Sequence, residues 1–157
     1  MSTLIDHARY FSINAHDGQV RKYTGEPYWH HCRNVARLVQ ERTNNDSMVA
    51  AAWLHDTLED TDTTVICLES NFGDIVTRLV CDLTDIYVTE NWPELNRAER
   101  KNLECIRYKY NVSENAKIIK LCDLIDNTTS IVEHDPKFAI VYLREKANLL
   151  EAMGFGE

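Results

Sequence analysis

Residues 53–62, WLHDTLEDTD, put one histidine and four acidic side chains into ten positions. They follow residues 48–54, MVAAAWL, which are almost purely apolar and helix-favouring, so the chain enters this stretch as a helix passing through a core. Charged groups in such surroundings are costly unless they are paired or bind a metal, which makes His55 and Asp56 the first candidates for chemistry. At about 3.6 residues per turn, Glu59 falls one turn beyond His55 and Asp60 one turn beyond Asp56. One helix end can therefore present an imidazole and several carboxylates to a single cavity.

The same property recurs at two other places. His31 lies in a predicted helix over residues 27–42, and Asp123 lies in the apolar run AKIIKLCDLIDN that starts at Ala116. Two imidazoles and two carboxylates suit a divalent cation of intermediate hardness such as Mn2+, Fe2+ or Zn2+. Such a cation keeps open positions for water and a substrate oxygen, and it acidifies water enough for hydrolysis near neutral pH. A solvated acidic helix terminus is the plain alternative for any single one of these segments. Recurrence argues against it, because unpaired buried charges are too costly to repeat by accident.

The elements that must position these groups are helical. A first helix is predicted over residues 3–16, with Leu4, Ala8, Phe11 and Ala15 inward, stopping at Asp17-Gly18. A polar loop, residues 19–26, carries Arg21 beside Lys22, and Pro27 is suited to open the second helix. A cap-rich turn at residues 43–47 starts the helix that carries His55. A short helix follows to about residue 71, Phe72-Gly73 ends it, and residues 74–84 resume. Residues 85–95, DIYVTENWPEL, have no clear periodicity and read as a loop or flexible lid. Helices over residues 96–110, from Ser113-Glu114 through Asp123, and from Asp135-Pro136 to Met153 complete an all-α bundle of seven or eight helices. At 157 residues this is one domain.

A net charge of −8 disfavours sequence-independent binding to nucleic acid, which needs an excess of cations to neutralise phosphates. No apolar run approaches the ~18 residues of a membrane span, and the polar start MSTLIDHARY is not a signal peptide, so a cytoplasmic protein is expected. The five cysteines are odd in number, far apart and free of any CxxC pair, which suits reduced core residues.

Four blocks, in one order, carry a family resemblance: AHDGQVRKYTGEPYWHHCRNVA at residues 15–36, WLHDTLEDT at 53–61, NFGDIVTRLVCDLTD at 71–85 and KLCDLIDN at 120–127. Together they resemble the HD-domain hydrolases of the RelA/SpoT type, in their small single-domain form. The resemblance implies metal ligation by His31, His55, Asp56 and Asp123, with Mn2+ the usual ion. It implies that Glu59 and Asp60 position and deprotonate the attacking water, and that Arg21, Lys22 and Asn127 hold the nucleotide, with Tyr142 closing the sugar side. His16 becomes a residue behind the ligands, and Tyr28 and Trp29 wall the site. Cys32 stands where the family has Pro, which makes His30 a rival to His31.

The activity so implied is hydrolysis of the 3′-pyrophosphate of guanosine tetra- or pentaphosphate, without a synthetase domain. Family members commonly have DRLHN or DKLYN where this chain has DLIDN, with Leu124 for the cation and Asp126 for His or Tyr. Losing a cation and gaining an anion there weakens the expectation for a highly charged substrate. It leaves open another phosphorylated nucleotide, such as NADPH or a pyrophosphorylated RNA end, and a module that binds the alarmone without turnover.

Overall fold

A computed structural model describes residues 3–155. Among these, eight helices follow one another: α1 (Leu4–Ala15), α2 (Trp29–Gln40), α3 (Asp46–Leu54), α4 (Thr57–Asp60), α5 (Val65–Leu83), α6 (Arg97–Tyr110), α7 (Glu114–His134) and α8 (Pro136–Met153). The expected all-α architecture is what the chain adopts. No described helix is long and apolar enough to cross a membrane.

Most helix starts follow from capping. Asn45, Thr64, Ser113 and Asp135 each accept a backbone N–H of the first turn with their side chains, and Asn96 and Glu99 form a reciprocal capping box. Pro136 then occupies the first turn of α8, where its missing N–H costs nothing. Pro27 does not play that part. Arg21 N–H donates to Glu26 O at 2.8 Å and Tyr28 N–H to Gln19 O at 2.9 Å, which folds residues 19–28 into a narrow loop closed by an isolated Val20–Pro27 bridge. The helix therefore starts at Trp29.

α3 is the axis of the bundle. Every residue from Met48 to Leu54 is buried, as expected for a helix that is apolar on all sides. α1, α2, α5 and α7 all pack against it, while α6 pairs with α8 and α8 leans on α7. α5 breaks where the sequence stops it: Gly73 has φ 83°, a conformation that strains any L side chain. The break turns Phe72 towards α1, where its ring meets His7 at 4.6 Å and Phe11 at 5.3 Å.

Residues 85–95 form no helix. Their first part is pinned from below, since buried Glu104 accepts the N–H groups of Ile86 at 2.7 Å and Tyr87 at 2.8 Å through Oε1. Its Oε2 takes Arg107 Nε at 2.7 Å, and Arg107 Nη1 donates onward to Asp82 O at 2.9 Å.

Candidate metal centre and nucleotide pocket

His55 and Asp56 sit in the joint between α3 and α4, not inside one continuous helix as the spacing had predicted. Side chains terminate α3 here. His55 Nδ1 bonds Ala52 O at 2.7 Å and Thr57 Oγ1 donates to Leu54 O at 2.7 Å, so end carbonyls are satisfied without another turn. The joint aims both side chains at one point, with His55 Nε2 3.0 Å from Asp56 Oδ2.

α2 and α7 bring the other members. His31 Nε2 lies 2.9 Å from Asp123 Oδ1 and 3.6 Å from Asp56 Oδ2, and His55 Nε2 lies 3.2 Å from the same Asp123 oxygen. His30 stays outside, its Nδ1 3.9 Å from Glu26. Both histidines use Nδ1 elsewhere, His55 on Ala52 O and His31 on Asp126 Oδ2 at 2.7 Å. That leaves Nε2 of each ring to face the carboxylates with the ring orientation fixed, the kind of outer support that histidine ligands need.

The electrostatics reinforce this. Burial opposes charge on both rings, yet the hydrogen bonds to Asp123 and Asp126 raise the His31 pKa, and the Asp56 charge with hydrogen bonds to Asp123 and Asp56 raises that of His55 well above 6.5. Burial likewise opposes ionisation of Asp56 and Asp123, but His55 beside the former and Lys120 beside the latter hold both below the usual carboxylate range. The cluster thus calls for positive charge at its centre, supplied by protons or by a metal. His31, His55 and Asp123 offer nitrogen and oxygen atoms within 4.8 Å of one another, and Asp56 adjoins them. This donor set fits a divalent cation. Cys32 also comes near His55 and Asp56, but burial pushes its thiol up to about 12, which keeps it protonated and a poor ligand.

Glu59 and Asp60 stand on the solvent side of α4, their carboxylates grouped with Asp56. Glu59 Oε1 accepts the Asp85 N–H at 2.6 Å. Desolvation, with the charges of Asp85 and Asp56, pushes Glu59 up to about 7, and desolvation beside Asp56 pushes Asp60 up to about 6. Both values suit groups that exchange protons near neutrality.

Arg21, Lys22 and Asn127 line one cavity of about 150 Å³, together with Tyr23, Tyr28, Ser130 and Ile131. The Tyr28 hydroxyl donates to Asp56 Oδ2 at 2.6 Å, so it joins this cavity to the cluster of histidines and carboxylates. Tyr142 is not part of that lining. It is buried on α8 and its hydroxyl lacks a well-formed hydrogen bond among the described residues. His16 packs its ring 4.9 Å from that of Tyr28, behind the ligand groups, while its Nδ1 meets Gln19 Oε1 at 2.9 Å.

Sequence reasoning missed the contacts of three residues. Lys120 Nζ holds Asp123 Oδ2 at 2.9 Å, Asn34 Nδ2 holds Asp126 Oδ1 at 3.1 Å, and Asp126 itself faces His31 and Arg21. The signal for two of them was present, since Lys120, Asp123 and Asp126 recur every third residue on one face of α7. Leu124, the other departure, is buried in the core.

The HD-domain family model matches residues 8–148. A human guanosine-3′,5′-bis(diphosphate) 3′-pyrophosphohydrolase, MESH1, is 37% identical over 130 residues, covering 81% of this chain and 69% of that protein. An Aquifex aeolicus protein of the same description is 34% identical over 132 residues, which make up 18% of its length. Among solved structures, a metazoan orthologue of SpoT described as hydrolysing ppGpp superposes with a TM-score of 0.83 at 27% identity, over 98% of this chain and 86% of that one. A Listeria monocytogenes protein superposes with a TM-score of 0.67 at 28% identity, over 86% and 85% of the two chains. The chain belongs to the HD-domain family and, within it, to the RelA/SpoT-type hydrolases.

Proposed function

We propose that residues 1–157 form one metal-dependent phosphohydrolase domain that removes the 3′-pyrophosphate of guanosine tetra- or pentaphosphate, giving GDP or GTP and pyrophosphate. The observation that carries this reading is the meeting of His31, His55, Asp56 and Asp123 beside Glu59, in a chain 37% identical to a protein named for that reaction. Held by these four side chains, a divalent cation, Mn2+ by resemblance, supplies Lewis acidity toward a phosphoryl oxygen and lowers the pKa of water. Glu59 takes the proton of the attacking water: its Oε1 is fixed by the Asp85 N–H, which leaves Oε2 to face the water. Asp60 orients the same water. As the new P–O bond forms, the bond from phosphorus to the ribose 3′-oxygen breaks; that oxygen takes up a proton from solvent, and the proton held by Glu59 returns to solvent.

Arg21 offers a flat guanidinium for stacking on the base, Lys22 a point charge for phosphate, and Asn127 polar contacts between them. By resemblance, Tyr142 on α8 closes the sugar side. A nucleotide substrate of this kind places the protein in a cytoplasm.

Pyrophosphate release from guanosine tetraphosphate in Mn2+, measured beside Asp56→Ala and Glu59→Ala, tests the assignment. Turnover that disappears in both variants supports it, and no release by the metal-loaded protein overturns the substrate. A second reading follows from Leu124 and Asp126: with no cation at residue 124 and Arg21 already paired to a carboxylate, a less charged nucleotide such as NADPH is the competing substrate. Faster release of phosphate from NADPH in the same assay would favour it.

A further inference from the structure

Asp126 replaces the aromatic or imidazole ring common at this place in the family, and three donors meet on it. Oδ2 accepts from His31 Nδ1 at 2.7 Å and from Arg21 Nη1 at 3.0 Å, while Oδ1 accepts from Asn34 Nδ2 at 3.1 Å. A phenol or an imidazole cannot accept from three donors at once, whereas a carboxylate has about four lone-pair positions. The contacts continue as a closed circuit. Arg21 Nη2 reaches Asn127 Oδ1 at 3.4 Å, Asn127 Nδ2 donates to Asp123 Oδ1 at 3.1 Å, and that oxygen faces His31 Nε2 at 2.9 Å.

We propose that Asp126 is a positioning residue that orients His31 for the metal and Arg21 for the nucleotide through one carboxylate, so that the two halves of the site are coupled. This rests on the function proposed above. The His31 ring is 1% exposed, and the Nδ1 contact fixes both its plane and the nitrogen that faces Asp123 and Asp56. On the nucleotide side, the Arg21 side chain is 12% exposed and would otherwise be a long, mobile cation at the end of a loop. Pairing with Asp126 orders it before any ligand arrives, and matches much of its charge. Arg21 then presents a flat face for a base more than a free charge for phosphates. The anion that sequence reading placed against the substrate is turned instead towards the protein's own histidine and arginine.

The two halves separate experimentally. Mn2+ binding by calorimetry without nucleotide should weaken by about 10–100-fold in Asp126→Ala. It should stay within about 3-fold of the wild type in Asp126→Asn, whose amide oxygen still accepts the Nδ1–H. At saturating Mn2+, both variants should raise the KM for guanosine tetraphosphate by about 10-fold, since Arg21 loses its ionic partner, while kcat changes little. Thermal midpoints taken alongside identify any variant that fails to fold; Asp126→Asn and Asp126→Tyr then carry the measurement. Equal Mn2+ affinity in Asp126→Ala and wild type, or equal losses in Asp126→Ala and Asp126→Asn, overturns the orienting role. An unchanged KM in the folded variants overturns the coupling to Arg21. Wild-type protein that binds Mn2+ but leaves guanosine tetraphosphate intact sinks the substrate alone, because the affinity series is still read; wild-type protein that binds no Mn2+ sinks both.

Discussion

Two clusters of buried charge stand in this bundle, and they are built on opposite rules. Around Glu104, donors meet acceptors: one carboxylate oxygen takes two backbone N–H groups, the other takes Arg107, and Arg107 passes a further bond to Asp82 O. Around Asp123, two imidazoles and two carboxylates, each able to ligate a cation, face one another. Two imidazole Nε2 atoms converge on one carboxylate oxygen, and a second carboxylate lies 3.0 Å from one of them. The first cluster is complete as protein and holds a loop in place. The second is complete only with added positive charge, and that incompleteness marks it as the chemical site.

The comparison can be broken by substitution. Asp56→Ala should bring turnover to background and weaken Mn2+ by more than the ~10–100-fold typical of an outer contact, with calorimetry as the check. Little change in either would make the second cluster structural too. Glu59→Gln should lower kcat by about 10²–10⁴-fold while leaving Mn2+ affinity intact. Because Glu59 must be ionised to accept a proton and is pushed up to about 7, the wild-type rate should climb through that pH, and the variant should lose this limb.

Glu104→Ala should cost roughly 3–5 kcal/mol in denaturant unfolding, by leaving Arg107 buried and unpaired. The folded fraction should bind Mn2+ as the wild type does; a large loss of affinity would merge the two clusters. The smallest effect is on stability at the site. A carboxyl whose folded pKa is raised stabilises the fold fully below its unfolded value and loses that contribution as pH rises through the folded one. Glu59→Gln should therefore be more stable than wild type at pH 8, by about 1 kcal/mol after allowing for solvent screening, and no more stable below the ordinary value of 4.5.

The helices were legible because their signals are local. Caps at Asn45, Thr64, Asn96, Ser113 and Asp135 mark helix starts, and Gly73 marks the break in α5. Pro27 misled because a proline suits a helix start and an extended bridge equally, and the bonds that decided lie at Arg21 and Tyr28. The His55-Asp56 joint was invisible to periodicity, since side chains end the helix by taking its carbonyls. At the site, residue types and motif order pointed to the histidines and carboxylates that the fold gathers. Asp126 was visible as a carboxylate one turn beyond Asp123, but its contact with His31, 95 residues distant in sequence, was not.

The pinning of residues 85–87 divides the following segment into two parts with different freedoms. Glu59 holds the Asp85 N–H, and Glu104 holds the next two, so tension or slack arising further along is absorbed before it reaches Glu59. The stretch from residue 88 to the α6 cap at Asn96 can then change length or composition as a module, in natural drift or by grafting, while the chemistry beneath keeps its alignment.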